Sequence, residues 1–181
     1  MNVGLVLDAT ASSKRNWPEK ADVRLDISKD ARPDVRGTAT ALPFKNGAFS
    51  EVYCDPPHMI AFQGDVRWKS DWEKKLPKGF QRFSYWPDKD AWWEFLHASA
   101  LEFHRVLEPN GLLHYKVPDG SRSHGRMIDA WDVHRLTAFG FACIEDVTKE
   151  TDSVLSRVNR KRGRSGTIVH YLTFRRVSKS G

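Results

Sequence analysis

A doubly wound α/β domain built on a mostly parallel seven-stranded sheet is the fold class this sequence predicts, and three observations predict it. Short apolar runs rich in Val, Leu and Ile are separated by turn residues, as in parallel strands buried on both faces. Segments of helical period stand between such runs in the second half of the chain. Acidic residues fall where the runs end, and in an open α/β sheet ligands bind at the carboxyl ends of the strands. The chain of 181 residues is the size of a single domain, so one module must carry both chemistry and recognition.

The strands are expected at Val3–Leu7, Val23–Ile27, Asp34–Gly37, Glu51–Cys54, Leu112–Val117, Ala142–Val147 and Thr167–Phe174. The connections after the first two are about a dozen residues or fewer, too short for full helices, so single turns or loops must cross there and the sheet is thinly covered on that side. Residues 59–87 have no clean period but hold Trp68, Trp72, Phe80, Phe83, Tyr85 and Trp86 interleaved with Arg67, Lys69 and Arg82. So many aromatics argue for an aromatic and basic substrate loop inserted after the catalytic strand. From Asp88 to Leu107 the residues Trp92, Phe95, Leu96, Ala100, Phe103, Val106 and Leu107 recur at helical spacing, with Asp88 as cap and Glu108-Pro109-Asn110-Gly111 as the stop. For Trp92 and Trp93, packing on the domain is almost as good an account as a role in substrate binding. A second helix spans Gly125 to Thr137 and stops near Gly140. The last two strands read as an antiparallel hairpin joined by a basic segment.

Composition narrows the function. No apolar run is long enough to cross a bilayer, and Met1 to Asp8 has no basic region before its short apolar stretch, so neither a membrane span nor a signal peptide is expected and the cytoplasm is the expected location. Cys54 and Cys143 each lie in an apolar segment, where buried free thiols are expected rather than a disulfide or a zinc site. The seven histidines show no metal-ligand spacing, and His97, His104 and His134 fall in expected helices; no metal is expected. Of the 29 Lys and Arg, eight lie between Arg157 and the C-terminus with no acidic residue among them, while the remaining 21 face all 23 acidic residues. The basicity is a local patch, which suits a polyanionic partner; a solvated tail accounts for the charge equally well.

Three carboxylates sit at expected strand ends. Asp8 leads into the small residues Ala9-Thr10-Ala11-Ser12, which let backbone approach a ligand; Asp26 is placed to accept from ribose hydroxyls; Asp55 opens Asp55-Pro56-Pro57-His58. Each carboxylate costs desolvation unless it meets a donor, so packing alone does not demand the pattern. Two consecutive prolines fix the backbone and hold Asp55 and the Pro56 carbonyl in one orientation. Such a segment can accept both hydrogens of an exocyclic amine, and the side chain at position 58 can stack on its ring. The alternative is a stiffened loop after a buried strand.

The order Leu5-Val6-Leu7-Asp8-Ala9-Thr10-Ala11-Ser12, Val23-Arg24-Leu25-Asp26-Ile27, Ala39-Thr40-Ala41-Leu42-Pro43-Phe44, Val52-Tyr53-Cys54-Asp55-Pro56-Pro57-His58 and Phe103-His104-Arg105-Val106-Leu107-Glu108-Pro109-Asn110-Gly111 resembles the class I S-adenosylmethionine-dependent methyltransferases over most of the chain. The Asp-Pro-Pro-aromatic tetrapeptide and the Tyr171-Leu172-Thr173-Phe174-Arg175 strand are similar to amino-methyltransferases of adenine N6 or cytosine N4, closest to small phage and prophage members. The resemblance implies S-adenosylmethionine as cofactor, with Asp8 and Ala9, Thr10, Ala11 and Ser12 beside its methionine part, Asp26 and Ile27 at its ribose, and Thr40 and Leu42 in the segment flanking its adenine. It implies Asp55, Pro56, Pro57 and His58 as the target-base site. In place of the family's glycines stand Ala9, Ala11 and Ser12; Thr38 replaces a common acidic residue and His58 the commoner Tyr, Phe or Trp.

Methyl transfer to an amine asks for orientation and hydrogen-bond polarisation, for which Asp55 is the expected acceptor. A base inside a duplex cannot reach such a pocket and must be single-stranded or flipped out. Lys116, Arg160, Lys161, Arg162 and Arg164 are the expected nucleic-acid contacts, with Lys116 alternatively capping a carboxylate. DNA is expected ahead of RNA as partner. An RNA amino-methyltransferase and a catalytically silent nucleic-acid-binding subunit of the same fold remain the alternatives.

Overall fold

A computed structural model describes residues 4–11, 17–18, 21–58, 86–119, 130–151 and 167–177. Its seven strands are β1 Leu5–Asp8, β2 Val23–Asp26, β3 Val35–Arg36, β4 Phe49–Cys54, β5 Leu107–Pro118, β6 Phe141–Thr151 and β7 Thr167–Arg176. They form one sheet in the order β3-β2-β1-β4-β5-β7-β6. The first five run parallel, and β7 enters antiparallel between β5 and β6, giving a mixed sheet with the expected C-terminal hairpin.

The chain builds outward from β1 through β2 to β3, then returns past β1 to lay down β4 on its other side. Strand order therefore reverses between β1 and β4, and a crevice opens at their carboxyl ends. The connection from β2 to β3 matches the expected single turn, while part of the one from β1 to β2 lies outside the described residues. Among the described residues, β2 reaches β3 through one 3-10 turn, Lys29–Ala31, capped by Ser28, whose hydroxyl accepts from the Asp30 N–H at 3.3 Å. Among the described residues, regular helices follow only β4 and β5; the eight-residue link 27–34 is too short to carry one back along the sheet.

The helix α1, Lys89–Val106, is set by its N-cap: Asp88 accepts from the Ala91 N–H at 2.8 Å. Its buried stripe of Trp92, Leu96, Ala100, Phe103 and Val106 packs on Val52 and Cys54 of β4, Leu113, Tyr115 and Val117 of β5, and Leu172 and Phe174 of β7 within one core. Trp92 is fully buried, so packing is its role. Trp93 lies partly buried under the Arg135 guanidinium, 4.3 Å from its ring centroid. The helix ends one residue before Leu107, the chain turns through Asn110 at φ +63°, and β5 begins in extended form earlier than its apolar run suggests. A Cβ on Gly111 would stand 3.0 Å from the Glu108 carbonyl, which explains glycine there.

The second helix, α2 Ala130–His134, continues as a 3-10 turn, Arg135–Phe139, and stops at Gly140 with φ +86°. The expected start at Gly125 lies outside the described residues. Cys54 is buried and Cys143 only partly so, since β6 is the sheet's edge; both are free thiols. Among the described residues no helix is long and apolar enough to cross a membrane.

Candidate functional site

The strand reversal places one cavity of about 590 Å³ at the carboxyl ends of β1, β2 and β4, closed by the first turns of α1. Ala9 and Thr10 after β1, Asp26 and Ile27 at β2, Thr40 in the turn after β3, and Asp55-Pro56-Pro57 after β4 all line it. Six of these eight directly follow a strand, and Asp26 is the last residue of β2.

Thr10 ties two of these loops together. Its N–H donates to Asp8 Oδ1 at 3.2 Å, and its Oγ1 accepts from the Asp55 N–H at 2.7 Å. The loop after β1 is otherwise held by backbone: Ala9 N–H donates to Tyr53 O and Ala11 N–H to Leu25 O, both at 2.9 Å. Ala9 and Ala11 are buried, and only Ala9 and Thr10 reach the cavity wall. Small side chains thus stand at the two described positions where the family the chain resembles carries glycines. Asp8 is buried behind Thr10 rather than on the wall, and burial raises its carboxyl to about 6 despite the Thr10 N–H and the Arg24 charge, with Asp55 and Asp26 adding to the rise. Asp26 accepts from the Ser28 N–H at 2.6 Å; burial raises its carboxyl too, against that bond and Arg24.

The turn after β3 is compact. Thr38 and Thr40 share a 2.9 Å hydroxyl contact, and Thr38 O accepts from the Ala41 N–H at 3.1 Å. Leu42 is buried and off the wall, and its backbone shows why the turn holds its place. Glu102 of α1 accepts the Leu42 N–H at 2.6 Å, while Arg105 donates to Leu42 O at 2.9 Å, Phe44 O at 2.7 Å, Asn46 Oδ1 at 3.0 Å and both oxygens of Glu102. The Arg105 bond keeps the Glu102 carboxyl below its usual range, and Glu102 raises Arg105 in turn. Sequence reasoning passed over this pair, although Arg105 stood inside a quoted motif; its signal was a carboxylate and a guanidinium three residues apart on a helix.

Asp55 has a partner on each carboxylate oxygen. Its Oδ2 lies 2.5 Å from Lys116 Nζ and its Oδ1 3.0 Å from His58 Nε2. Burial works to raise it, but His58 and then Lys116 outweigh that and hold it below the usual carboxylate range. His58 does not line the cavity but touches the acid that does. Lys116, read from sequence as a phosphate contact or a carboxylate cap, is seated on the Asp55 carboxylate with 23% of its side chain exposed. The Pro57 carbonyl accepts from the Trp86 indole N–H at 2.8 Å, and Pro56 lines the wall beside it.

Sequence reasoning also missed the α1 wall. Ala91, Phe95 and Ala98 recur at i, i+4 and i+7 and face the cavity, with Trp86 4.8 Å from Phe95 between ring centroids. Phe95 was counted with the core stripe because it is apolar; two small alanines in register with it were the available clue. Ser12, Arg160, Lys161, Arg162, Arg164 and residues 59–85 of the aromatic loop lie outside the described residues.

No protein-family model matches the chain, and no curated protein sequence does either. Solved structures do. An S-adenosylmethionine-dependent methyltransferase from Thermotoga maritima matches with a TM-score of 0.56 and 13% identity over 97% of this chain and 84% of its own. The 1,6-didemethyltoxoflavin-N1-methyltransferase of Burkholderia thailandensis, which holds S-adenosylhomocysteine, matches with a TM-score of 0.54 and 15% identity over 96% and 71%. SpnF, a cyclase, matches with a TM-score of 0.55 and 13% identity over 96% and 76%. The chain shares the fold of S-adenosylmethionine-dependent methyltransferase structures, and SpnF shows that this fold also serves other chemistry.

Proposed function

We propose that this protein transfers the methyl group of S-adenosylmethionine to an exocyclic amino nitrogen of a nucleic-acid base, adenine N6 or cytosine N4, on DNA ahead of RNA. The observation that supports it most is a single cavity shared by Thr10, Asp26 and the Thr40 turn with Asp55-Pro56-Pro57. Cofactor-side and target-side residues meet there within reach of one reaction.

The residues fit that cofactor. A volume of about 590 Å³ is in the range of cofactor sites. Asp8 and Asp26 are carboxylates that burial disfavours as anions, so a ligand carrying sulfonium and ammonium charge suits them. Asp26 can accept from ribose hydroxyls, while Ile27 and the compact turn at Thr38–Thr40 offer flanking surface for a flat ring.

Bound S-adenosylmethionine supplies an electrophilic methyl group on a sulfonium. The chain's own residues do the rest by orientation. Asp55, kept ionised, and the Pro56 carbonyl accept the two amine hydrogens and aim the nitrogen lone pair away from themselves. Trp86 and Thr10 hold the loop in that pose through Pro57 O and the Asp55 N–H. As the new N–C bond forms, the sulfonium–methyl bond would break with its electron pair left on the thioether sulfur, and the nitrogen sheds a proton through Asp55 to water. Asp55 is held too low to keep it.

Incubation of the protein with isotopically labelled cofactor and DNA or RNA oligonucleotides, followed by mass spectrometry of the nucleosides, tests the proposal. N6-methyladenine or N4-methylcytosine is expected. Label found only in small molecules would move the activity to that substrate class, and oligonucleotide binding with no cofactor binding would identify a silent subunit.

Two further outcomes follow from charge. Because Asp8 holds a proton until about pH 6, a cationic cofactor that favours its ionised form must release that proton. Cofactor affinity is therefore expected to rise severalfold as pH climbs from 5 to 7 and then level off, and Asp8→Asn should flatten that profile in calorimetry. Replacing Arg160, Lys161, Arg162 and Arg164 together by Ser should lower the salt slope of oligonucleotide binding by roughly three to four counterions and weaken binding alike on all sequences. An unchanged slope would show those charges to be idle.

A further inference from the structure

Both oxygens of Asp55 are taken before any target arrives, and the two partners differ in kind. Lys116 projects from β5, a strand paired on one side with β4 and on the other with β7, where Lys116 stands opposite Tyr171. Its neighbours Tyr115 and Val117 are fully buried in the core, so the ammonium is carried by a fixed element. His58 belongs to the loop three residues beyond Asp55, and its ring carries no second bond among the described contacts that would anchor it. Each oxygen keeps a second lone pair, but His58 takes up the approach to Oδ1, and of the two partners the loop residue is the one able to give way to an amine.

We propose that Lys116 is the positioning residue of this site, holding Oδ2 of Asp55 so that Oδ1 faces the target, and that His58 is a resting occupant of Oδ1 which the exocyclic amine replaces. The inference rests on the methyl transfer proposed above. It assigns Lys116 a place in the reaction instead of on a phosphate and gives His58 two positions, on the carboxylate at rest and beside the base when it binds. The groups facing Asp55 from each packed element support the division. Asp8 at the end of β1 repels it, Cys54 of β4 and Tyr115 of β5 are neutral, and Lys116 and His58 are its cationic or proton-donating partners.

Lys116→Met, an uncharged side chain of similar length, tests the assignment. Without the ammonium, burial and Asp8 act on Asp55 with only His58 opposing them, so the acid limb of kcat should move up by about one pH unit or more. Relative to wild type, turnover should be lost on the acid side of the profile and recover as pH rises, with cofactor Kd within about twofold. Lys116→Arg should restore the wild-type limb. Carboxyl NMR of Asp55 without target should show the same upward move in Lys116→Met, independently of turnover. His58→Phe, which keeps a flat ring but cannot hold Oδ1, should lower KM for the oligonucleotide severalfold. A Lys116→Met protein that is folded and binds cofactor but keeps the wild-type pH limb and Asp55 titration overturns the role of Lys116, and an unchanged or raised KM in His58→Phe overturns that of His58. Wild-type protein that methylates no nucleic acid overturns the proposed function itself, and this inference with it.

Discussion

Asp55→Ala should lower methyl transfer roughly 100- to 1000-fold, the range seen when one preorganised polar group aimed at a reacting centre is removed, while cofactor affinity changes by less than about threefold. The substitution takes away the acceptor for one amine hydrogen and leaves Lys116 Nζ and His58 Nε2 without the oxygens they touch at 2.5 and 3.0 Å. The backbone bond from position 55 to Thr10 Oγ1 survives, so the loop should stay near its place. Asp55→Asn sharpens the result. Asparagine keeps one oxygen that can accept from the amine but presents an amide donor on the other side, which repels Lys116 unless the group rotates. Activity between the wild-type and alanine values is expected. Single-turnover assays with labelled cofactor, beside calorimetry, separate the chemical loss from binding; full turnover in Asp55→Ala would remove this carboxylate from the reaction.

Arg105→Ala should have the largest effect away from the reacting centre. The guanidinium bonds two backbone carbonyls, the Asn46 amide and both Glu102 oxygens, and its loss leaves Glu102 holding Leu42 N–H alone. With net values near 1 kcal/mol per bond and some of these groups reached by water, a loss of about 2–3 kcal/mol is expected. For a domain of this size that is a fall in Tm of roughly 5–10 °C, read by calorimetry. The turn bearing Thr38 and Thr40 is continuous with the clamped segment, so cofactor affinity should fall about tenfold with kcat at saturating cofactor little changed. Arg105→Lys should recover only part of both, since an ammonium cannot reproduce the fork. Equal Tm and Kd in wild type and Arg105→Ala would show the clamp to be incidental.

The second half of the fold was the more legible in the sequence. Asp88 marked the start of α1 and the Glu108–Gly111 turn its end because capping and φ constraints are local, and alternation in Leu113, Tyr115 and Val117 marked a buried strand. β3 is only two residues long and β5 starts at Leu107, several residues before its apolar run, because pairing and not composition decides those limits. At the site, the cavity residues Thr10, Asp26 and Asp55-Pro56-Pro57 were legible from strand-end chemistry, and Thr40 from the family resemblance. The α1 wall and the Glu102–Arg105 clamp were not, since each depends on which stripe of a helix meets which loop some 60 residues away. Lys116 showed why charge alone misleads: a lysine late in a strand is equally suited to a phosphate or a carboxylate until the neighbouring strand is placed.

The two-residue strand at the sheet's margin bears on how the molecule behaves before it meets its ligands. β2 and β3 share only two paired positions, Leu25 with Val35 and Asp26 with Arg36, yet this sparsely braced corner supplies Asp26 and adjoins the threonine turn. The region that grips is thus held by few strand pairings of its own. An occupant lodged there acts as a missing structural member, so empty protein should breathe mainly at this corner while the hairpin half stays closed.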